Sequence, residues 1–394
     1  MIDLLHAKKA ILNLKIKNRP LVISFGHSKY LSDVGGVQLY TFVEAQKFNE
    51  IGINYLHLSP TRVLPVLADS SHKDLCINIT FNNREIPGDF MLSGLVELVS
   101  EVNSDSPPVA AIVNSLFGWH PELLSDVLDQ VRAKSHYWFF HDYSTFCSNP
   151  NLNFENANSC KNPKLDAGIC TTCRYGKNRR AHVARTAQLL DSREWKLVTP
   201  SKSASENVAK YLSISAPQVS TIPHGHLSAI NRLRIFEDTP RIAFVGQPVA
   251  HKGWLSFLDF AHLSLKEIDF FHFGSIPTDE PGIKYFPLKN RFEDLNTARD
   301  LLVRYQIDAV FICPTWEETF CFVAYEALAA GCKVICSKES GNVFDACLNN
   351  LIIYESKDPD IAEHIKTELL HARQTERRLS DFVFSGTVAS EFAI

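Results

Sequence analysis

Two carboxylates, eight residues apart, open the chemistry of this chain. The stretch "PTWEETFCFVAYEALAAG", residues 314–331, carries Glu318 and Glu326. With a helix starting near Phe320, the residues Val323, Ala327 and Ala330 share one stripe, and Glu326 falls inside it. A carboxylate buried without partners costs on the order of several kcal/mol, so Glu326 needs donors from the protein or from a ligand. Glu318 precedes the helix. It follows the apolar run "AVFIC" and the breaker Pro314, at the carboxyl end of a buried strand, where the βα loops of doubly wound sheets line the ligand crevice.

Two glycine turns add a second chemistry. "SFGHSKYLSDVGGVQLYTFV" puts Gly35 and Gly36 at a helix start, and "FVGQPVAHKGWLSFLDFA" does the same with Gly246 and Gly253, with Lys252 beside them. Amides at a helix N-terminus with a lysine alongside suit a phosphate or diphosphate. Neither stretch is a Walker loop or a full GxGxxG, and a C-cap or tight turn explains any single glycine as well. A third chemistry lies in "CSNPNLNFENANSCKNPKLDAGICTTC", which holds Cys147, Cys160, Cys170 and Cys173 in a polar stretch. The last two form a CxxC, and all four fit a closed tetrahedral thiolate site for structural zinc, with unpaired thiols as the alternative. The other six cysteines, Cys76, Cys313, Cys321, Cys332, Cys336 and Cys347, lie in apolar runs and read as small core hydrophobes.

The elements that must position these residues come in two sets. Strands at 21–25, 53–58, 109–113, 137–140 and 196–200, with a further one at 76–81, alternate with helices near 36–48, 121–133 and 202–212. The pattern then restarts, with strands at 241–246, 269–274, 283–287, 308–313, 333–337 and 351–355 and helices near 253–263, 292–305, 320–330 and 359–371. Two Rossmann-like α/β domains with parallel sheets follow, joined within 222–241. A length of 394 residues agrees with two cores rather than one. The expected division is an N-terminal domain 1–225 with a Cys-rich insert 147–173, a C-terminal domain 226–375, and a segment 376–394 that packs back toward the first domain.

A net charge of −4 with scattered basic residues leaves no footprint for nucleic acid. Apolar runs break well short of the roughly 18 residues a membrane span needs. The opening segment lacks a continuous apolar core and a small-residue cleavage site, which speaks for a cytoplasmic chain. Within residues 1–19, Ile2, Leu5, Ile11, Leu12 and Ile16 alternate with Lys8, Lys9, Lys15 and Lys17. That pattern suits a helix docked on its own domain, or peripheral contact with an anionic membrane at the inner face.

Taken together, the Gly-Gly helix start, "IPHG" at the join, "VGQPVAHKGW" and "EETFCFVAYEALAAGCKVICSKESGN" resemble the GT-B glycosyltransferases of family 4 over essentially the whole chain. The most specific part is 314–342, where Glu318, Phe320, Glu326, Ala327 and Gly331 match the family signature. The resemblance implies two Rossmann-like domains facing a deep interdomain cleft. It also implies transfer of a sugar from a nucleotide diphosphate donor, with retention and without a catalytic metal, to a glycan or lipid-linked hydroxyl in bacterial polysaccharide synthesis. By the same resemblance, Glu326 holds the ribose diol, Glu318 faces the donor sugar, and amides near Phe320 and Cys321 add donors. Lys252 neutralises the leaving diphosphate, with Gly246 and Gln247 beside it. Gly35 and Gly36 let the backbone approach the diphosphate, and His141 contacts the sugar near the reacting carbon. Similar cysteine-bearing inserts occur in bacterial relatives. One position departs from the pattern: Gln247 stands where the family carries Arg or Lys, so Lys338 or Arg241 must supply the charge or activity falls. A nucleotide-sugar epimerase and a catalytically silent GT-B module are the competing readings.

Overall fold

The structure, a computed structural model, describes the chain apart from residues 1–3, 15–18, 34, 70, 72, 104–105, 155–157, 161–167, 235–238, 265–266, 289–295, 375–376 and 393–394. It divides into two compact units, one of residues 1–152, 161–224 and 386–394, the other of 153–160 and 225–385.

Unit 1 is built on strands β1 (Leu21–Phe25), β2 (Asn54–Pro60), β3 (Cys76–Phe81), β4 (Arg84–Met91), β5 (Ala110–Val113), β6 (His136–Phe139), β7 (Lys196–Thr199) and β8 (Val219–Thr221). Their order across the sheet is β8-β7-β6-β5-β1-β2-β3-β4. Every residue of β1 is buried, as an apolar strand covered on both faces must be. Pairing from β8 through β2 is parallel; β3 and β4 add an antiparallel hairpin at the edge. Its turn is Asn82-Asn83, with φ of 46° and 60°. Asn tolerates that left-handed conformation, which matches the strand twist. The chain starts in the middle of the sheet, runs to one side, and returns to the other between β1 and β5, the switch point where open sheets bind ligands.

The helices of unit 1 are α1 (Leu4–Leu14), α2 (Gly36–Glu50), α3 (Leu95–Val102), α4 (Pro121–Val131), α5 (Gly176–Asp191) and α6 (Lys202–Leu212). Helix α1 packs on α3 and β4, burying Ala7 and Ile11, and Lys8 pairs with Glu101 at 2.5 Å. Ile11, counted toward the membrane-contact reading of residues 1–19, is therefore covered by the chain's own domain. Ile2, Lys15, Ile16 and Lys17 lie outside the described residues. Among the described residues no helix is long and apolar enough to cross a membrane.

Unit 2 holds β9 (Gly225–Leu233), β10 (Arg241–Val245), β11 (Asp269–Gly274), β12 (Ile283–Pro287), β13 (Ala309–Phe311), β14 (Lys333–Cys336), β15 (Leu351–Ile353) and β16 (Arg378–Phe384). Six of them form a parallel sheet in the order β12-β11-β10-β13-β14-β15, and β9 pairs antiparallel with β16. The helices are α7 (Trp254–Ser264), α8 (Thr297–Arg304), α9 (Phe322–Ala329), α10 (Asn342–Cys347) and α11 (Ile361–Ala372). The first part of the helix expected at 292–305 lies outside the described residues. Phe257 and Phe260 of α7 meet Phe311 of β13 at 5.7 and 5.8 Å between ring centres. Each fully buried phenylalanine contributes about 1.5–3 kcal/mol. At the amino edge of this sheet the buried Asp308 accepts two bonds from the Arg373 guanidinium, both 2.7 Å. The switch point of this sheet falls between β10 and β13.

The strand at 378–384, within the expected C-terminal segment, thus belongs to unit 2, and only the chain from Gly386 onward belongs to unit 1. There Val388 and Ala389 join the core, and Tyr137 donates to Glu391 at 2.9 Å.

Candidate functional site

The switch point of unit 2 brings the loop after β10 to the loop after β13. Gly253, with φ of +86°, makes this approach available: a Cβ there would lie 2.2 Å from the Cys313 carbonyl oxygen. The Thr315 amide donates to the His251 carbonyl at 3.1 Å and ties the two loops. The result is a pair that no sequence neighbourhood contains, Lys252 Nζ at 3.9 Å from Glu318 Oε1. The lysine side chain is 45% exposed and the glutamate side chain only 8%, so the ammonium faces outward over a sunken carboxylate. Burial pushes the Glu318 carboxyl up from its ordinary range, with Lys252 and then Trp316 pulling it back.

Glu318 is held from behind by its own backbone. Its carbonyl accepts from the Asn342 amide at 2.8 Å, and it bridges to Gly341 as a short parallel pair. Gly341 has φ of +60°, and a Cβ on it would come within 2.6 Å of the Glu318 carbonyl oxygen. Only glycine fits. Asn342 accepts the Cys321 amide on Oδ1 at 3.1 Å, just ahead of α9. The Phe320 ring stacks on Tyr325 at 4.6 Å.

Glu326 lies on α9 and is 4% exposed, so the conflict read from its helical stripe is real. Burial, and then Glu318, push the buried Cys321 thiol up to about 12. Gly246 has φ of +124° at the end of β10; its carbonyl accepts from His272 at 2.9 Å. Gln247 is exposed beside it. Arg241 does not replace the missing charge: it opens β10 at the opposite edge, a five-residue strand of about 3.3 Å per residue away, and donates to the Tyr305 carbonyl at 3.1 Å. Lys338 lies at the carboxyl edge and faces Glu355 at 3.6 Å.

In unit 1, Gly35 caps α2 and Gly36 is its first residue, without a side-chain cap. His141 follows β6. Its ring stacks on Phe139 at 4.2 Å, its Nε2 sits 2.8 Å from Asn114 Oδ1, and burial holds its pKa well below the ordinary value. Sequence reasoning missed Asn114, at the end of β5, and Glu44, a fully buried acid on α2. The signal for Glu44 was present: it sits four residues after Tyr40 and four before Phe48, the same kind of intrusion that exposed Glu326.

Among the described residues no three His, Cys, Asp or Glu side chains come together as metal ligands. Cys147 is buried in unit 1, Cys170 Sγ accepts from Arg179 at 3.1 Å, and Cys160 belongs to the segment 153–160 of unit 2.

Residues 228–382 match the family model for glycosyl transferases group 1. Sucrose-phosphate synthase from Thermosynechococcus elongatus superposes with a TM-score of 0.55 at 14% identity, over 90% of this chain and 92% of that one. The Anabaena protein HepE in complex with UDP gives 0.52 at 11% identity over 90% of each chain. A glycosyltransferase from Rickettsia africae gives 0.52 at 11% identity over 91% of this chain and 94% of that one. The fold is GT-B. No curated protein matches the chain by sequence. Within this GT-B chain, the segment matching the family model, residues 228–382, contains Glu326 and the Lys252–Glu318 pair with Gly253 and Gly341 beside it.

Proposed function

We propose that this chain transfers a sugar from a nucleoside diphosphate donor to a hydroxyl of a glycan or lipid-linked acceptor, with retention, in the cytoplasm and in bacterial surface polysaccharide synthesis. The observation that carries the reading is the Lys252–Glu318 pair at the switch point of unit 2, inside the segment that matches glycosyl transferases group 1. An exposed ammonium beside a sunken carboxylate offers a diphosphate one positive contact and a sugar hydroxyl one acceptor. Relatives solved with UDP support the donor class. Glu326 grips the ribose diol, and the resemblance gives His141 the contact with the donor sugar.

The chemistry needs no protein nucleophile. The bond from the anomeric carbon to the diphosphate oxygen breaks as the acceptor oxygen bonds the same face, and the acceptor proton passes to the leaving diphosphate. Lys252 stabilises the charge that develops there. This division also separates the two glutamates from the acid and nucleophile pair of a retaining glycosidase.

Thermal shift and calorimetry with UDP, GDP, ADP and their sugar conjugates test the reading, since a ligand of the folded state raises its melting temperature. One nucleotide should bind, and Glu326→Ala should weaken it at least about tenfold. Gln247, a neutral side chain at a position where the family carries a cation, favours the silent-module reading instead; absence of binding by every nucleotide decides for it. Conversion of the donor alone to an epimer decides for an epimerase.

A further inference from the structure

Behind His141, unit 1 buries a polar track that the proposed reaction does not use. Glu44 Oε1 accepts from the Tyr40 hydroxyl at 2.7 Å, and Oε2 accepts from the Tyr55 hydroxyl at 2.6 Å. Tyr40 in turn accepts from the Val388 amide at 3.4 Å, which leaves its proton for Glu44. Asn114 Nδ2 lies 3.1 Å from Ser24 Oγ and 3.5 Å from Glu44 Oε2. The two ends of an amide are told apart by their partners. A carboxylate accepts only, so the NH₂ of Asn114 must face Glu44, and its Oδ1 must face His141 Nε2 at 2.8 Å. Nε2 therefore carries the ring proton, and Nδ1 is the acceptor.

We infer that Glu44 is a positioning residue whose carboxylate fixes the Asn114 amide and, through it, holds His141 in the Nε2–H tautomer. The consequence for sugar transfer rests on the proposed role of His141; the tautomer does not. Protonated Glu44 can donate as well as accept. The remaining Ser24 hydroxyl, 3.1 Å away, can donate or accept, so the amide can then turn, and an NH₂ facing the ring selects the Nδ1–H tautomer. Burial pushes the Glu44 carboxyl up to about 7 against the bonds from Tyr55, Tyr40 and Asn114, which brings the change into the neutral range.

The groups facing Glu44 are Tyr40 from its own helix, Tyr55 from β2, Asn114 from β5 and the Val388 segment through Tyr40. Those facing His141 are Asn114, Tyr40 and His224, with Asp142 next in the chain and His27 near enough to lower its pKa. Burial lowers the pKa of both His224 and His27, with Asp142 pulling His27 back, whereas the Asp142 carboxyl is pushed up by burial and must be separated from Glu44 by experiment.

Two-bond ¹H–¹⁵N correlations of the His141 ring in the full-length, ¹⁵N-labelled protein, followed from about pH 5.5 to 8.5, make that separation. The wild type should show the Nε2–H form at high pH and a mixed population at low pH, with a midpoint near that of Glu44. Glu44→Gln should give a pH-independent mixture, and Asp142→Asn should keep the wild-type profile. A wild-type profile in Glu44→Gln, or its loss in Asp142→Asn, overturns the inference. Should Glu44→Gln not fold, Tyr55→Phe removes one donor to the carboxylate and must move the midpoint to higher pH; an unmoved midpoint overturns the inference equally. In transfer assays Glu44→Gln should lower kcat about tenfold with nucleotide affinity unchanged. An intact tautomer profile with no transfer in either protein refutes the functional reading and leaves this one standing.

Discussion

Replacing Lys252 by alanine tests the donor site most directly. At 3.9 Å from Glu318 Oε1, the ammonium attracts that carboxylate by about 4 kcal/mol at an effective dielectric of about 20. Its 45% exposure brings the net value toward about 1 kcal/mol. The larger effect concerns the ligand. A lost hydrogen bond from a charged donor to a phosphate costs about 1.5–3 kcal/mol, or about 10- to 150-fold in Kd. The substitution also leaves Glu318 without its main opposing charge, so a carboxyl already raised by burial rises further. The sign follows. As pH falls, Glu318 in the variant takes up a proton earlier than in the wild type and ceases to repel the diphosphate, so the ratio of variant to wild-type Kd should shrink as the pH is lowered. Calorimetry with the nucleoside diphosphate that binds the wild type, at several pH values and two salt concentrations, measures both effects. An unchanged Kd would refute the site, and a ratio independent of pH would refute the coupling between Lys252 and Glu318.

Two stability predictions probe the scaffold. Gly341→Ala places a Cβ within 2.6 Å of the Glu318 carbonyl oxygen at a φ of +60°, and should cost about 2–4 kcal/mol in urea unfolding of the transition that contains unit 2; a loss below half a kcal/mol, roughly, would show that the backbone relaxes freely. Arg373→Ala removes both 2.7 Å bonds to the fully buried Asp308, leaving it the Arg241 amide at 2.8 Å. The expected loss is about 3 kcal/mol; a loss below about 1 kcal/mol would contradict the charge argument.

Much of the fold was legible because periodicity is local. The runs "LVISF", "RIAFVG" and "DAVFIC" specify buried parallel strands, and the glycine turns after them specify where helices begin. The hairpin strand Arg84–Met91 and the pair Gly225–Leu233 with Arg378–Phe384 were not read, since alternation in a polar edge strand is weak and pairing partners lie far off in sequence. Asn82-Asn83 was the available clue to the first. In the candidate site, the stripe argument found Glu326, whereas the same argument applied to α2 would have found Glu44.

What the sequence determined by itself is therefore the kind of element at each position and the residues that conflict with it. A carboxylate on an apolar stripe, or a glycine where a strand opens into a helix, is a local violation and can be seen locally. Only tertiary structure decided which of these conflicts meet. Lys252 reaches Glu318 across sixty-odd residues because the strand order reverses between the parallel neighbours β10 and β13. Arg241, nearer to Lys252 in sequence, is carried to the opposite edge by the strand between them. Asn114, bonded to Ser24 and His141, joins residues in or just after three strands whose adjacency no spacing encodes. Hydrogen-bond partners are set by distances in space, and those follow from strand order rather than from position along the chain.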